Sequence, residues 1–443
     1  MVGPKYQSPD LPTDVSLKEE IADSLVKDSV RAADWIQLFE DSVLIALVDT
    51  ALHNNLDLEK ALARIEEARA LYGFNKADLF PSFTYSTEIK RTEFSSNVIS
   101  LSKDPISQAN ISGGLSWEVD LWGKLRHQRN AAKSDMKSSE ETANAIRLSL
   151  IAEVASVYFT LLDLDNRLKI TEATIQTREA YFTIINNKFT YGDVPELDKL
   201  QSQQQLDIAY VFRYQIIRQI KETERSLSIL LGLPPQQIER GLPLKEQTVK
   251  AYIPDSLPSR LVHSRPDLRA FEYKMMAQNN RVGMAVAMRY PSFQLSGMFG
   301  FASKDLSVLL SSGSITNSIS AGLFGPIYNF GKNKRRVEIE KFRLVQFQKE
   351  YERLYLNALM EVGNALTYTG TYKDEMIHRN SQVEAARKTL MLSKARYDNG
   401  YTSYLEVLIN EQNLLSAELE YSILQRNFLI SYITIYKSFG GGW

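Results

Sequence analysis

The chain has 443 residues, with 52 basic and 53 acidic side chains, 44% apolar residues and no cysteine. A net charge of −1 offers no basic surplus for neutralising phosphates, which argues against a nucleic-acid partner. The missing cysteines exclude disulfide scaffolds, thiolate catalysis and Cys-based metal centres, and no run of about 18 apolar residues predicts a membrane-spanning helix; membrane β-strands, whose signal is alternation, stay open.

In chain order, residues 1–33 read as an extended N-terminal segment and 34–232 as a first repeat that opens with helices. Between about 82 and 119 the pattern changes to a β-hairpin. Phe83, Tyr85, Thr87 and Ile89 alternate with Ser82, Thr84, Ser86 and Glu88, and Ile111, Leu115, Trp117 and Val119 share one parity on the return. No glycine then occurs from Lys124 to Tyr191 and no proline before Pro195. Leu148, Ile151, Ala152, Ala155, Phe159 and Leu162 recur at helical spacing in that stretch. A helix of such length spans roughly 100 Å, which points to a long bundle, coiled coil or tube. Residues 233–260 hold five of the 14 prolines and read as a non-helical connector. The second repeat, 261–443, runs through a helix, a hairpin at about 292–327 and long helices again. Leu405, Leu408, Gln412, Leu415 and Leu419 step by three and four along the last of them.

The two halves align with each other. Asn55-Leu56-Asp57-Leu58 matches Arg265-Pro266-Asp267-Leu268, and Pro81-Ser82-Phe83 matches Pro291-Ser292-Phe293, both at an offset of 210. After the hairpin the offset becomes 208 and holds to the end. Gly114-Leu115 then meets Gly322-Leu323, Trp122-Gly123-Lys124 meets Phe330-Gly331-Lys332, and Gly232 meets Gly440.

Each half supplies two strands, so one chain supplies four. In lipid every backbone group must be paired, which requires a closed barrel. Four strands cannot close around a filled interior; about eight is the practical minimum. If these strands cross a membrane, several chains must pool them.

Catalytic and cofactor chemistry finds no support. His53, His127, His263 and His378 are scattered, without metal-ligand spacing, and no nucleophile elbow or dinucleotide fingerprint occurs. Gly325 to Gly331-Lys332 imitates a phosphate loop, but its spacing is one residue too long and Asn333 replaces the Ser or Thr. The reading is a non-enzyme without metal or cofactor.

Several segments together resemble a known family. They are Val2-Gly3-Pro4-Lys5-Tyr6, Leu115-Ser116-Trp117-Glu118-Val119-Asp120-Leu121-Trp122-Gly123-Lys124-Leu125, Ser264-Arg265-Pro266-Asp267-Leu268, Tyr397-x-x-Gly400 with Tyr404-Leu405-Glu406-Val407-Leu408, and the closing Gly440-Gly441-Gly442-Trp443. In this order, over essentially the whole chain, they resemble the TolC-like outer-membrane factors, most closely the efflux-lipoprotein branch (OprM/NodT-like) of tripartite RND-type pumps. The resemblance implies a mainly α protein with a transmembrane β portion. It implies a homotrimer whose strands pool into one twelve-stranded outer-membrane β-barrel, continued by a twelve-helix periplasmic α-barrel. The implied function is a multidrug exit duct in the outer membrane of a Gram-negative bacterium, served by a periplasmic membrane-fusion adaptor and an inner-membrane pump. A type I secretion channel, a metal-ion efflux channel and a soluble coiled-coil scaffold are the alternatives.

By the same resemblance, the periplasmic aperture closes where the helix pairs turn, at Tyr191 and Gly192 in one repeat and Tyr397 and Gly400 in the other. The acidic positions six beyond each glycine are Asp198 and Glu406; Leu405 is the apolar constriction. Ile409 stands where many relatives carry a further acid, which favours an apolar gate. Asp198 and Glu406 also sit where a negative charge stabilises the first turn of a helix. Lipoproteins of this branch begin with a lipidated cysteine just before Val-Gly-Pro; Met1 stands there, and the native form is expected to be lipid-anchored, the alternative being a natural member without a lipid.

Overall fold

The computed structural model describes residues 1–9, 39–93, 105–249 and 264–441. The N-terminal segment from residue 10, the tip of the first hairpin, the connector from 250 to 260 and the closing Gly442-Trp443 lie outside the described residues. The elements are α1 (Ser42–Asn54), α2 (Leu56–Ala77), β1 (Ser82–Thr92), β2 (Ile106–Val119), α3 (Lys124–Thr190) and α4 (Glu196–Leu230). They continue as α5 (Pro266–Ala287), β3 (Ser292–Ser303), β4 (Ile315–Phe324), α6 (Lys332–Asp398) and α7 (Tyr404–Ser438).

The duplication is carried into the element boundaries. α3 and α6 both have 67 residues, α4 and α7 both have 35, and α2 and α5 both have 22. All four helix exits after α3, α4, α6 and α7 close in the same way. Gly192, Gly232, Gly400 and Gly440 take positive φ, between +68° and +87°. Each donates its N–H three residues back, and the next residue donates five back, as in Gly192 to Phe189 O and Asp193 to Lys188 O. This is the Schellman arrangement, which satisfies the last carbonyls of a helix and requires a residue at ease in the left-handed region.

The helix entries α2 and α5 are also quasi-equivalent. Asn55 caps α2, accepting from the N–H groups of Asp57 and Leu58, and its Nδ2 donates to Leu230 O at the end of α4. At the matching place Arg265 grips Asp267 through two bonds, and its Nη1 donates to Ser438 O at the end of α7 and to Glu361. Burial opposes ionisation of Asp267, but the Arg265 hydrogen bonds prevail and hold its carboxyl below the usual range. Pro266 starts α5 where its missing N–H costs nothing.

The chain divides into two compact units. The first contains residues 63–141 and 270–353 with the N-terminal residues. Its four strands form one antiparallel sheet in the order β1-β2-β3-β4, leaving β1 and β4 as the edges. The strands run 11, 14, 12 and 10 residues. β4 stops at Phe324 and not near 327, because Pro326 has no N–H to donate to a ladder. Phe83, Tyr85, Ile89, Phe299, Ile319 and Leu323 are exposed on this sheet. Below it, Trp122 stacks on Tyr290 at 4.7 Å and donates its indole N–H to Pro291 O at 2.9 Å. Residues 1–9 are held by Val2 N–H on Trp122 O, and by Asn279 donating to Pro4 O.

The second unit contains residues 142–269 and 354–443 with residues up to Leu62. Its core packs Leu44, Val48 and Ala51 of α1 against Val154, Ala155, Tyr158, Phe159 and Leu161 of α3, with Ile216 and Leu227 of α4 and Leu429 and Ile433 of α7. The sequence has no uninterrupted apolar run, yet α3 carries an 18-residue window of mean hydropathy 1.6, more than half of it buried inside the chain. Asp41 ties the connector to this core. It caps α1, and it accepts from the Tyr158 hydroxyl at 2.8 Å, from Leu242 N–H and from Gln247 Nε2.

Candidate functional site

The two helix-hairpin turns, between α3 and α4 and between α6 and α7, lie in the second unit. Ile185 of α3, Leu390 and Tyr397 of α6, and Tyr404, Val407 and Leu408 of α7 form a small apolar cluster beside them. Tyr397 and Tyr404 stand ring to ring at 5.4 Å, and the Tyr404 hydroxyl donates to Ser202 Oγ of α4 at 3.3 Å. Burial pushes the Tyr404 phenol up to about 12. Burial also raises Tyr397, helped by the charges of Asp198 and Asp398, so Asp198 sits within electrostatic reach of the second turn.

The expected residues fall into distinct environments. Tyr397 is buried, whereas Tyr191 is 83% exposed and packs no core. The repeat alignment explains the contrast: Phe189, not Tyr191, is the counterpart of Tyr397, and Lys199 stands 4.9 Å over its ring. Gly192 and Gly400 face open space, so only their positive φ calls for glycine. Glu406 begins α7, accepts from the Thr402 hydroxyl and lies 3.7 Å from Arg396. Asp198 holds the matching position on α4, half-buried; among the described residues it has no ion-pair partner, and burial raises its pKa. Leu405 and Ile409, one helical turn apart, are both about half exposed on α7.

Three further features carry no motif. Leu197, 61% exposed, is the repeat counterpart of Leu405 and presents an apolar side chain beside Asp198; the 208 offset would have found it. Further from the turns, Arg178 of α3 meets Glu411 of α7 at 3.3 Å, both buried, and also donates to Gln205 O and Gln412 Oε1. Further along the same pair of helices, the fully buried Asp163 accepts from Ser422 at 2.6 Å and from Arg426 at 3.3 Å. Burial nevertheless holds its pKa above the usual value.

Each repeat thus runs an antiparallel hairpin into a 67-residue helix that turns into a 35-residue partner. The model of the outer membrane efflux protein family matches the chain twice, over residues 47–233 and 257–441, and the chain belongs to that family. The solvent efflux pump outer membrane protein SrpC of Pseudomonas putida is 30% identical over 409 residues, covering 92% of this chain and 87% of its own. Among solved structures, the Campylobacter jejuni CmeC outer membrane channel superposes with a TM-score of 0.92 at 26% identity, over 100% of this chain and 95% of its own. The open state of the Neisseria gonorrhoeae MtrE outer membrane channel gives 0.89 at 26%, over 100% and 98%. The protein is accordingly an outer-membrane channel component, and the soluble scaffold is set aside.

Proposed function

We propose that this chain is the exit duct of a tripartite drug and solvent efflux system, conducting substrates passively and catalysing nothing. Three copies pool their strands into one twelve-stranded barrel, and the duplicated helices of the three copies form the periplasmic conduit. A membrane-fusion adaptor and an RND-type inner-membrane pump deliver the cargo. The observation that carries this reading is the open four-stranded sheet with exposed aromatics and two edges. Such a sheet is untenable in lipid by itself and complete only when closed by further strands. The solvent-efflux relative supports the substrate class.

At the aperture, Asp198 and Glu406 form acidic rings, with Leu405 and Ile409 as the apolar constriction and the turns at Tyr191-Gly192 and Tyr397-x-x-Gly400 setting their position. Like charges in a narrow opening draw counter-ions, so the resting pore prefers cations. Deleting the gene is expected to sensitise the host to organic solvents and antibiotics, with recovery on re-expression. Unchanged susceptibility, with loss of a secreted protein or of metal tolerance instead, would overturn the substrate class.

A further inference from the structure

The two repeats part company in charge where each hairpin hands over to its long helix. In the first repeat, residues 118–128 carry two acids, Glu118 and Asp120, and two bases, Lys124 and Arg126. These pair off: Lys124 reaches Glu118 at 2.6 Å, and Arg126 donates to Asp120 at 3.0 Å. At the offset of 208, Pro326 replaces Glu118 and Tyr328 replaces Asp120, while Lys332 and Lys334 keep the two bases. Arg335 and Arg336 then stand in place of His127 and Gln128, so residues 326–336 carry four bases and no acid. Glu338, one turn along α6, takes up Arg335 at 2.6 Å. Among the described residues, Lys332, Lys334 and Arg336 have no carboxylate within 4.0 Å. The same stretch is apolar and open: Ile327 is fully exposed, and Tyr328 and Phe330 largely so. Their counterparts Val119, Asp120 and Trp122 are all partly buried.

We infer that residues 326–336 dock anionic phospholipid headgroups on the periplasmic side of the outer membrane. Lys332, Lys334 and Arg336 hold the phosphates, and Ile327 and Tyr328 enter the interface beside them. Their place in the fold fits this occupant. β4 ends at Phe324 and α6 begins at Lys332, so the segment lies at the foot of a membrane strand, at headgroup level. Basic side chains beside a bilayer attract anionic lipid, each strengthening binding by roughly fivefold, and aromatic rings settle at the same depth. Arg336 also lines a cavity of about 320 Å³ at the feet of β2 and β4, with Trp122, Tyr290 and Phe324. The two acids on that cavity, Glu118 and Asp120, are already engaged by Lys124 and Arg126. A soluble anion would satisfy the cations and leave Ile327 and Tyr328 in water. A lipid surface satisfies both.

This inference rests on the reading of the sheet as part of a membrane barrel. Native mass spectrometry of the full chain in detergent reads lipid preference and oligomeric mass together. Dioleoylphosphatidylglycerol and dioleoylphosphatidylcholine would be offered in equal amounts. The parent is expected to retain the anionic lipid over the zwitterionic one by about tenfold or more. K332Q/K334Q/R336Q should abolish that preference, and so should P326E/Y328D, which returns the first repeat's acids. R343Q/K349Q/R353Q removes the same charge from bases already paired along α6 and should leave the preference intact. A parent without preference, or a K332Q/K334Q/R336Q protein that keeps it, overturns the lipid site while a trimeric mass spares the duct. Displacement of the lipid by inorganic phosphate would overturn it in favour of a soluble-anion site. A monomeric mass counts against the assembly reading instead, and the lipid site is then decided by the preference alone.

Discussion

Arg178 and Glu411 meet at 3.3 Å with only 2% and 8% of their side chains exposed, pinning α3 to α7. Desolvating two charges is costly, and the extra bonds from Arg178 to Gln205 O and Gln412 offset part of that cost. Removing one partner strands the other. Glu411→Ala or Arg178→Ala is therefore expected to cost about 3–5 kcal/mol, read as a lowered thermal midpoint by circular dichroism. The double variant R178M/E411L should recover most of the loss. A single variant as stable as the parent would show that the pair is not buried in the working assembly.

The proposed acidic rings of Asp198 and Glu406 give a second expectation. Asp198→Asn with Glu406→Gln should shift the reversal potential in planar bilayers toward that of a non-selective pore. Burial raises the Asp198 pKa, so its folded form holds a proton at a higher pH than an ordinary aspartate does. Cation preference should thus decline on acidification, starting above the usual carboxylate range. Its ionisation correspondingly disfavours the folded state as pH rises through that raised pKa. Selectivity and conductance unmoved by the double substitution would remove both residues from the aperture.

The two tyrosines of the apolar cluster should respond differently to loss of the hydroxyl. The buried Tyr397 hydroxyl has no hydrogen-bond partner among the described residues, whereas Tyr404 donates to Ser202. Tyr397→Phe is expected to be neutral or slightly stabilising, and Tyr404→Phe to cost about 1 kcal/mol. Denaturant melts of the detergent-solubilised protein would compare them; equal losses would contradict the assignment.

Glycines that both take positive φ should differ in tolerance. A Cβ on Gly192 meets nothing, so Gly192→Ala should cost only the left-handed penalty of about 1–2 kcal/mol. On Gly232 the Cβ would lie 2.0 Å from Asn54 O, and Gly232→Ala should lower the thermal midpoint considerably further. Similar midpoints would mean that the α4 exit relaxes freely.

Much of the fold was legible because its signals are periodic and repeated. The glycine-free stretch from Lys124 reads directly as α3, and the constant offset makes each helix vouch for its partner. The end of β4 was less legible, since the alternation of Ile319, Ala321 and Leu323 does not announce that Pro326 truncates the ladder. At the turns, both Tyr191 and Tyr397 lie close to a glycine, but the constant offset pairs Tyr397 with Phe189. What the sequence does not announce is that Tyr397 is buried while Tyr191 stays exposed. The Arg178–Glu411 pair could not be read at all, because it joins residues 233 positions apart with no motif around either.

The matched lengths of α3 with α6 and α4 with α7 limit where this chain can be altered. A turn added to one helix would leave its counterpart short in a wall where the two stand as equals, so helix insertions would have to come in matched sets. The segment joining β1 to β2 escapes that coupling, being two residues longer than the one joining β3 to β4. An epitope or affinity tag is best placed there, where the repeats already tolerate unequal lengths.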